Sequence, residues 1–408
     1  MRRVAVTGMG VVSPLGIGAD AFFEALLAGR SGIGVLDIEA SRPLVTRIGA
    51  AVEFDPALHF PSTKSRMMDR VSQFALVAAG EAIAQARGAL EGERERVGVF
   101  VGTGMGGART TDESYRTLYE SGSDRIRPFS VLLAMANAPC AWIALEHGLA
   151  GPSLSYSCAC ASSAVAIGEA FRSISRGDCD AAIAGGAEAP LTFGTIRAWE
   201  ALRTLASEDP ADPSASCKPF SRDRSGLVLG EGAAMVVLED RERARARGAT
   251  ILAEIVGYGL CTDAAHITRP SVEAQARAMR LAMGDANLSP EQVGYVNAHG
   301  TGTEANDGVE TAALRSVLGA RAKDVPVSST KSMHGHLLGA AGALEFTAAL
   351  QALRRHVLPP TMHLAQPDPA CDLDYVPNAA RRVPAFEAIL SSSFAFGGTD
   401  AVIAARAA

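Results

Sequence analysis

Short apolar runs alternate with longer helical segments along most of the chain, and this alternation restricts the fold more than any other feature of the sequence. Strand-like runs begin at Val4, Val97, Ala181, Met235, Tyr295 and Val325. Between them, the segments 69–86, 162–175, 272–283 and 337–353 carry apolar residues at helical spacing and are rich in alanine. This pattern predicts an α/β fold in which small residues let the helices pack closely on a sheet.

Two segments resemble copies of one unit. The run Ser153-Leu154-Ser155-Tyr156-Ser157 leads into a helix of small residues after Cys160, and Val327-Ser328-Ser329-Thr330 leads into another near Gly335. The charged stretch 239–248 lies between these segments and is the best candidate for a connection between two halves. We therefore predict two related halves, residues 1–250 with the cysteine and residues 251–408.

Charge and hydropathy exclude several classes of protein. A net charge of -6 and a pI near 5.8 over 408 residues give no basic face for nucleic acid. Thr7 and Gly8 end the first apolar run too early for a signal peptide, and no run approaches the roughly 18 apolar residues that span a bilayer. The seven cysteines are an odd number without a regular spacing, which favours reduced thiols. We expect a cytoplasmic protein without a nucleic-acid or membrane partner.

Cys160 is the first candidate for chemistry, because it stands between a predicted strand and a predicted helix. Free N–H groups and the dipole at a helix start favour a thiolate, and the same N–H groups can hold an oxyanion. A cysteine among alanines and serines is as readily explained as a small buried apolar residue. The segment alone leaves both interpretations open.

Two histidines and one aromatic segment complete the candidate set. His299 lies at the end of a predicted strand before Gly300, and His336 lies in a second glycine-flanked segment. Ligands bind at strand ends in α/β sheets, so two such histidines together with a cysteine make a nucleophile and its partners plausible. The run 394–398, Phe-Ala-Phe-Gly-Gly, is either a core strand entering a turn or a mobile flap that approaches a ligand closely.

From end to end, the chain resembles the β-ketoacyl-acyl-carrier-protein synthases of the elongating type. The resemblance rests on the segments 6–16, 156–165, 297–301, 331–342 and 394–399, which stand in the family's order. It implies a thiolase-like fold of two related halves in a five-layered α-β-α-β-α arrangement, and a homodimer or a pair with a synthase-like second subunit. It also implies decarboxylative condensation with malonyl-carrier in fatty acid or polyketide-type synthesis, with an acyl carrier protein as partner. No metal or bound cofactor is expected, because the substrates are carried on phosphopantetheine.

The resemblance implies a role for each matching residue. Cys160 matches the acylated nucleophile, His299 and His336 match the pair that binds the malonyl thioester, and Lys331 matches a structural lysine whose ion-pair partner is Glu345. The N–H groups of Cys160 and Phe396 match an oxyanion hole, and Thr301 and Thr303 match residues that contact the phosphopantetheine arm. The acyl pocket is matched by Met105 and, from across the dimer, by Met135. The docking face for the carrier is matched by Arg66, Arg125, Arg127 and Arg203.

The sequence departs from the usual family pattern at a few positions. Cys158 precedes Cys160 where threonine is usual, Ser392 and Ala395 replace asparagine and glycine, and His334 replaces a common threonine. These changes leave the reaction intact but put the choice of substrate in doubt. A specialised pathway is therefore an alternative to housekeeping synthesis.

Three other functions compete with this interpretation. The run 102–107 satisfies G-x-G-x-x-G, but its acidic partner would be Asp124 in a polar turn, which disfavours an NAD-dependent oxidoreductase. Cys158, Cys160, His334 and His336 are metal-ligand types, but their spacing matches no structural zinc pattern. A non-elongating partner subunit of a synthase heterodimer lacks the nucleophilic cysteine, so Cys160 argues against that role.

Overall fold

A computed structural model describes residues 1–38 and 43–408. The strands are β1 Val4–Ser13, β2 Gly16–Ile17, β3 Gly34–Val35, β4 Ile48–Gly49, β5 Val97–Gly102, β6 Ser153–Tyr156, β7 Ala181–Glu188, β8 Gly232–Asp240, β9 Ala253–Thr262, β10 Val293–Asn297, β11 Val327–Ser328, β12 Val357–Leu358, β13 Arg381–Arg382, β14 Ala388–Phe394 and β15 Thr399–Arg406.

The α-helices follow the same alternation. They are α1 Ala19–Leu27, α2 Ser62–Ser65, α3 Arg70–Gln85, α4 Ala108–Tyr119, α5 Ser130–Ala134, α6 Ala138–His147, α7 Ser162–Arg176, α8 Phe193–Leu202, α9 Arg241–Ala246, α10 Val272–Asp285, α11 Glu304–Leu318, α12 Lys331–His334 and α13 Ala341–Arg355. None of the helices in the described ranges is long and apolar enough to cross a membrane.

The sheet consists of two halves with the same topology. The strand order is β6-β5-β7-β8-β1 in the first half and β11-β10-β14-β15-β9 in the second. In each half the first three strands are parallel and the last two pairings are antiparallel. The halves join where β1 pairs with β9 at Val4 to Val6. The duplication predicted from the sequence is therefore present in the strand order.

The same close packing of helix on strand occurs in both halves. A Cβ atom on Gly10 of β1 would lie 2.0 Å from the Ala78 carbonyl oxygen of α3, and one on Gly259 of β9 would lie 2.0 Å from the Ala278 carbonyl oxygen of α10. Because the two backbones leave no room for a side chain, glycine is required on each strand. The alanine-rich helices of the sequence pattern thus lie directly against the sheet.

Helices α7 and α13 form the middle of the molecule. They contact each other and strands of both sheet halves, whereas α3 packs outside β1 and β8, and α10 packs outside β9 and β15. This gives the α-β-α-β-α order of layers, and the predicted fold class is confirmed. The largest apolar cluster fills the space around α7 and α13 with side chains such as Ile167, Ile174 and Phe346, all fully buried.

Most predicted elements are present, and the differences have local causes. The predicted helix 337–353 begins only at Ala341, because Leu338–Ala340 forms a turn of 3₁₀-helix. The strands β9, β14 and β15 were not predicted as strands. The charged stretch 239–248 contains α9 and separates β8 from β9. The division at residue 250 stays a prediction.

Candidate active site

Cys160 lies in a tight turn between β6 and α7. The turn is the 3₁₀-helix Ala159–Ala161, whose first residue, Ala159, has an unusual positive φ of 46°. The Ser162 hydroxyl stabilises it by accepting from the Cys158 N–H (2.8 Å) and donating to the Ala159 carbonyl oxygen (2.7 Å). Cys160 is 6% exposed and lines a cavity.

His336 presents an N–H group to the sulfur of Cys160. Its Nε2 atom lies 3.0 Å from Sγ, and its Nδ1 atom accepts a hydrogen bond of 3.2 Å from the backbone N–H of Leu338. A neutral imidazole carries one hydrogen, and Nδ1 is used as an acceptor. We therefore assign the hydrogen to Nε2, which faces the cavity.

His299 has the same tautomer as His336, but a different contact determines it. The Lys331 ammonium donates to the His299 carbonyl oxygen (2.6 Å) and lies 3.5 Å from Nδ1 of the ring. An ammonium group has no lone pair, so Nδ1 of His299 is the acceptor and Nε2 carries the hydrogen. The two imidazole rings meet edge to face with centroids 5.4 Å apart. One ring nitrogen of each histidine and the Cys160 sulfur all lie within 4.8 Å of one another.

A buried ion pair lies behind the two histidines. Lys331, the first residue of α12, contacts Glu345 of α13, and both side chains are fully buried. Burial, and after it the Lys331 ammonium, hold the pKa of both His299 and His336 well below its usual range. Both imidazoles are therefore neutral at neutral pH, and the cavity contains two neutral N–H donors.

The backbone of His299 is fixed by another buried carboxylate. Glu310 of α11 accepts from the N–H groups of His299 (2.7 Å) and Gly300 (2.8 Å), and also from the Asn306 amide (3.0 Å). Burial raises the pKa of Glu310 to about 7 against these hydrogen bonds. The sequence did not single out Glu310, whose only signal is an acidic residue that follows a candidate histidine along the chain.

The balance of forces on the Cys160 thiol differs from the sequence expectation. Burial raises its pKa to about 11, whereas the Lys331 ammonium and the backbone N–H of Phe396 lower it. The expectation that the helix start favours a thiolate is therefore incomplete, since removal from water outweighs the donors. At neutral pH the free protein carries a protonated thiol.

The loop 394–398 closes over the sulfur as a hairpin between β14 and β15. The backbone N–H groups of Phe396 and of Cys160 itself both lower the pKa of the Cys160 thiol. The Phe396 ring stacks on Trp199 with centroids 6.0 Å apart, and the Gly397 N–H donates to the Ile267 carbonyl oxygen at 2.8 Å. These are the two N–H groups of the predicted oxyanion hole, and that role stays a prediction.

Two threonines that were predicted as site residues line the mouth of the cavity, together with a segment that was not predicted. Thr301 and Thr303 line the mouth with their hydroxyl oxygens 2.9 Å apart. Opposite them lies the segment 263–270, which follows β9. Thr262 of β9 pairs with Thr399 of β15, so whatever follows residue 262 must lie beside the loop 394–398. The segment can therefore be assigned to the site only when β9 and β15 are known to be neighbours.

The predicted acyl-pocket methionines lie apart from the cavity. Met105 is 43% exposed, Met135 is half-buried, and among the described residues of one chain neither lines the cavity that contains Cys160. Only the assignment of Met135 was tied to a dimer. Both assignments to an acyl pocket stay predictions.

The four predicted docking arginines are all exposed. The structure brings two of them together, since the Arg127 guanidinium donates to the Arg66 carbonyl oxygen. Arg125 lies two residues from Arg127 in the same loop, whereas Arg203 follows the end of α8. A single cluster of all four stays a prediction.

The three clustered side chains are poorly suited to a metal ion. A histidine that binds zinc donates its second N–H to an acceptor. Here the second nitrogen of His336 accepts from Leu338 N–H, and that of His299 faces the Lys331 ammonium. His334, the other ligand type in this segment, bonds instead to the Thr330 hydroxyl at 2.9 Å. The expectation of no metal stays a prediction, which elemental analysis tests.

The run 102–107 is also unsuited to a nucleotide. A dinucleotide-binding turn offers its N–H groups to a pyrophosphate. The N–H groups of Gly104 and Met105 donate instead to the buried Glu188 carboxylate, at 2.6 and 3.0 Å. Asp124 lies in a loop after α4 and not at the end of a strand. The arrangement argues against an oxidoreductase.

Comparisons with known proteins agree with this geometry. The family model described as "Beta-ketoacyl synthase, N-terminal domain" matches residues 1–244, and "Beta-ketoacyl synthase, C-terminal domain" matches residues 252–365. Nodulation protein E of Rhizobium meliloti (strain 1021) is 44% identical over 404 residues, which are 99% of this chain and 98% of the relative. The 3-oxoacyl-[acyl-carrier-protein] synthase 2 of Coxiella burnetii is 42% identical over 98% of each chain.

A solved structure extends the comparison to a complex. The ketosynthase of a type II PKS, bound to the hexaketide and in complex with its acyl-carrier protein, is 33% identical to this chain and superposes with a TM-score of 0.90. The match covers 100% of this chain and 99% of that one. The likeness therefore includes both halves of the fold.

Proposed function

The chain belongs to the β-ketoacyl synthase family, and from that premise we propose how its residues divide the reaction between them. The chain is an acyltransferase of the condensing type, a β-ketoacyl-acyl-carrier-protein synthase. In our proposal Cys160 carries the acyl group, and His299 and His336 bind the malonyl thioester. Lys331, paired with Glu345, orients His299, and its ammonium adds to burial in keeping both histidines neutral.

The first half-reaction transfers the acyl group to sulfur. The Cys160 sulfur attacks the thioester carbonyl carbon of an acyl-carrier, a carbon–sulfur bond to Cys160 forms, and the bond to the carrier's thiol breaks. The proton of Cys160 leaves with that thiol. The backbone N–H groups of Cys160 and Phe396 stabilise the oxyanion that develops in between, and one such donor is typically worth about 3 kcal/mol.

The second half-reaction forms the carbon–carbon bond. The malonyl thioester loses carbon dioxide, and the electron pair of the broken bond becomes an enolate. That enolate attacks the carbonyl carbon of the acyl group on Cys160, the carbon–sulfur bond breaks, and the sulfur leaves as a thiolate that takes up a proton from water. Two neutral N–H donors at the malonyl thioester oxygen stabilise the enolate without needing a strong base in water. The pair of Nε2–H groups beside Cys160 is the single observation that carries this proposal.

A product assay tests the function as a whole. Acyl-carrier and malonyl-carrier incubated with the enzyme should give β-ketoacyl-carrier and one carbon dioxide per product, without added metal or organic cofactor. A panel of acyl chain lengths, followed by intact mass spectrometry of the carrier, identifies the preferred substrate. The same panel separates housekeeping fatty acid synthesis from a specialised pathway. Absence of β-ketoacyl product with every donor would contradict the proposal.

The carrier protein is proposed to dock on Arg66, Arg125, Arg127 and Arg203, and its phosphopantetheine arm to pass Thr301 and Thr303. All four arginines are exposed, and the threonine hydroxyls line the mouth above Cys160. Carrier proteins of this kind present an acidic helix, so the contact is electrostatically complementary although the whole chain is acidic. The chain's seven free thiols favour a reducing compartment, and we propose the cytoplasm.

Reversing the charge of the docking arginines should weaken carrier binding. Four exposed ion pairs at roughly 0.5 kcal/mol each total about 2 kcal/mol, which predicts a KM for the carrier raised about 30-fold at low salt. The salt dependence of KM should also diminish. The measurement is steady-state kinetics with the arginine-to-glutamate variant at two ionic strengths.

A matched control variant has the same change in net charge, made at four other exposed arginines. It reverses four exposed arginines that do not line the cavity around Cys160, namely Arg87, Arg245, Arg280 and Arg382. KM should stay near the wild-type value in this variant. Equal changes of KM in both variants would move the docking site elsewhere.

The active form is proposed to be a homodimer in which β6 pairs with β6 of a second copy. Strand β6 lies at one end of the sheet and pairs only with β5 within the described residues, and its Leu154 is 47% exposed. Exposed apolar side chains continue on the neighbouring segment at Phe129, Val131 and Leu132. An unpaired apolar edge is a template for association, and a two-fold axis would pair it with itself. Met135 of a second copy would then reach the acyl pocket.

Sedimentation velocity tests the dimer. The wild-type protein should sediment at twice the 42.2 kDa of one chain. Leu154→Arg should shift the equilibrium toward the single chain because it places a charge in the apolar interface. Leu58→Arg is the control, since Leu58 is 81% exposed outside β6 and its replacement should leave the dimer intact. A wild-type mass of one chain at micromolar concentration would contradict the proposal.

A further inference from the structure

Glu188 is a fully buried carboxylate that takes no part in the steps described so far. It is the last residue of β7 and accepts four hydrogen bonds. One oxygen accepts from the N–H groups of Gly104 (2.6 Å) and Gly339 (2.9 Å), and the other accepts from the Met105 N–H (3.0 Å) and the Thr103 hydroxyl (3.2 Å). The four bonds favour the ionised form, whereas burial outweighs them and raises the pKa of Glu188 to about 7.

The four bonds join two turns that are distant in sequence. The turn 103–106 follows β5, and the turn Leu338–Ala340 follows His336. The turns touch so closely that a Cβ atom on Gly339 would lie 2.3 Å from the Gly104 nitrogen and 2.6 Å from a Glu188 oxygen. The carboxylate therefore lies at the contact between the two turns and is bonded to both.

The turn after His336 also determines the tautomer of that histidine. Leu338 donates its N–H to Nδ1 of His336, and the next residue, Gly339, donates its N–H to Glu188. The φ of Leu338 is 46°, a conformation that an apolar residue adopts only when its surroundings hold it. Loss of the anchor at Gly339 would release Leu338 and, with it, the hydrogen bond that places the hydrogen on Nε2.

We propose that Glu188 is a positioning residue that holds the Leu338–Gly339 turn and thereby keeps His336 as an Nε2–H donor for decarboxylation. The inference rests on the role proposed for His336 and adds the group that maintains it. The other oxygen of Glu188 fixes the Thr103–Met105 turn at the same junction. Glu188 does not line the cavity that contains Cys160, so in this proposal it acts on the rate of decarboxylation through His336.

The test replaces Glu188 by glutamine in the full-length protein. An amide has one acceptor oxygen and turns its NH₂ group toward two of the four donors, so about half of the bonds are lost. We expect kcat for carbon dioxide release from malonyl-carrier to fall by up to about 100-fold with KM unchanged, since small misplacements of a catalytic group have effects of this size. Acylation of Cys160 should proceed at the wild-type rate.

The control is Asp69→Asn, which removes the same kind of carboxylate at another place. Asp69 is buried, bonds only to the N–H groups of Val71 and Thr110 and to the Thr110 hydroxyl, and has no bond to the turn 338–340. Loss of the Asp69 carboxylate should lower the free energy of unfolding without lowering kcat for carbon dioxide release. Thr103→Val, which removes one of the four bonds of Glu188 and keeps the side-chain shape, should lower kcat less than Glu188→Gln does.

Nitrogen-15 spectra of histidine-labelled protein supply a direct readout. The His336 signals, assigned by their loss in His336→Ala, should indicate the Nε2–H tautomer in the wild type and a mixture in Glu188→Gln. Wild-type kcat in Glu188→Gln, or an unchanged tautomer, overturns the inference while leaving the role of His336 intact. Normal decarboxylation by His336→Ala would instead overturn the proposed function itself.

Discussion

Replacing Cys160 by glutamine should abolish acylation and condensation while leaving carbon dioxide release from malonyl-carrier intact or increased. The sulfur is the only acceptor for the acyl group in our account, so no β-ketoacyl product can form without it. The two Nε2–H donors belong to other residues and remain in place. A glutamine amide occupies the position of an acylated sulfur and accepts from the same N–H groups, which leaves the site arranged for decarboxylation.

Two assays on one preparation measure this separation. Intact mass spectrometry reports acylation, and headspace carbon dioxide reports decarboxylation. Cys158→Ser is the matched control, because Cys158 lies two residues away, is half-buried, and has no bond from its sulfur to the histidines among the described contacts. It should retain both activities. β-Ketoacyl product from the Cys160→Gln enzyme would show that another group carries the acyl chain.

Replacing His299 or His336 by alanine should give the opposite result. Acyl-enzyme should still form, because the backbone donors of Cys160 and Phe396 remain, but decarboxylation should fall by about 10²- to 10³-fold for each histidine. Each replacement removes one N–H donor from the enolate. Both imidazoles carry no charge, since burial and the Lys331 ammonium lower the pKa of each. The effect should therefore persist across neutral pH.

His334→Thr is the control for the histidine variants. His334 is fully buried in the same segment, but its ring bonds to Gly335 and Thr330. Decarboxylation should remain near the wild-type rate in this variant. Rates near the wild type in His299→Ala or His336→Ala would mean that the enolate is stabilised by other groups.

The sequence predicted those parts of the molecule that local patterns determine. Alanine-rich helical spacing identified α3, α7, α10 and α13, because packing on a sheet leaves a periodic pattern in each helix. The repeated strand-to-helix unit predicted the duplication that appears in the strand order. Cys160, His299 and His336 stood out because each follows or ends a strand-like run.

Long-range contacts were not readable from the same patterns. The strands β9, β14 and β15 contain small residues and serines, which weaken the strand signal, and their pairing depends on neighbours far along the chain. The segment 263–270 became part of the site only through the pairing of β9 with β15. Glu188 and Glu310 have no sequence signal that separates them from surface acids.

The pKa of Cys160 and the tautomers of the two histidines could not be predicted from the sequence either. The position of Cys160 suggested a thiolate, but its pKa depends on how far the sulfur is removed from water, and the structure shows that burial dominates. The tautomers of His299 and His336 depend on single contacts with Lys331 and with the N–H of Leu338. Because of these contacts, both histidines carry their hydrogen on Nε2 and can donate hydrogen bonds into the cavity.

The most direct test of the central claim is the location of the acyl group on the wild-type enzyme. The protein is incubated with acyl-carrier in the absence of malonyl-carrier, digested, and mapped by tandem mass spectrometry. Our account predicts one acyl group per chain, attached to Cys160. An acyl group on Cys158 or on any other residue, or none under conditions that support condensation, would contradict it.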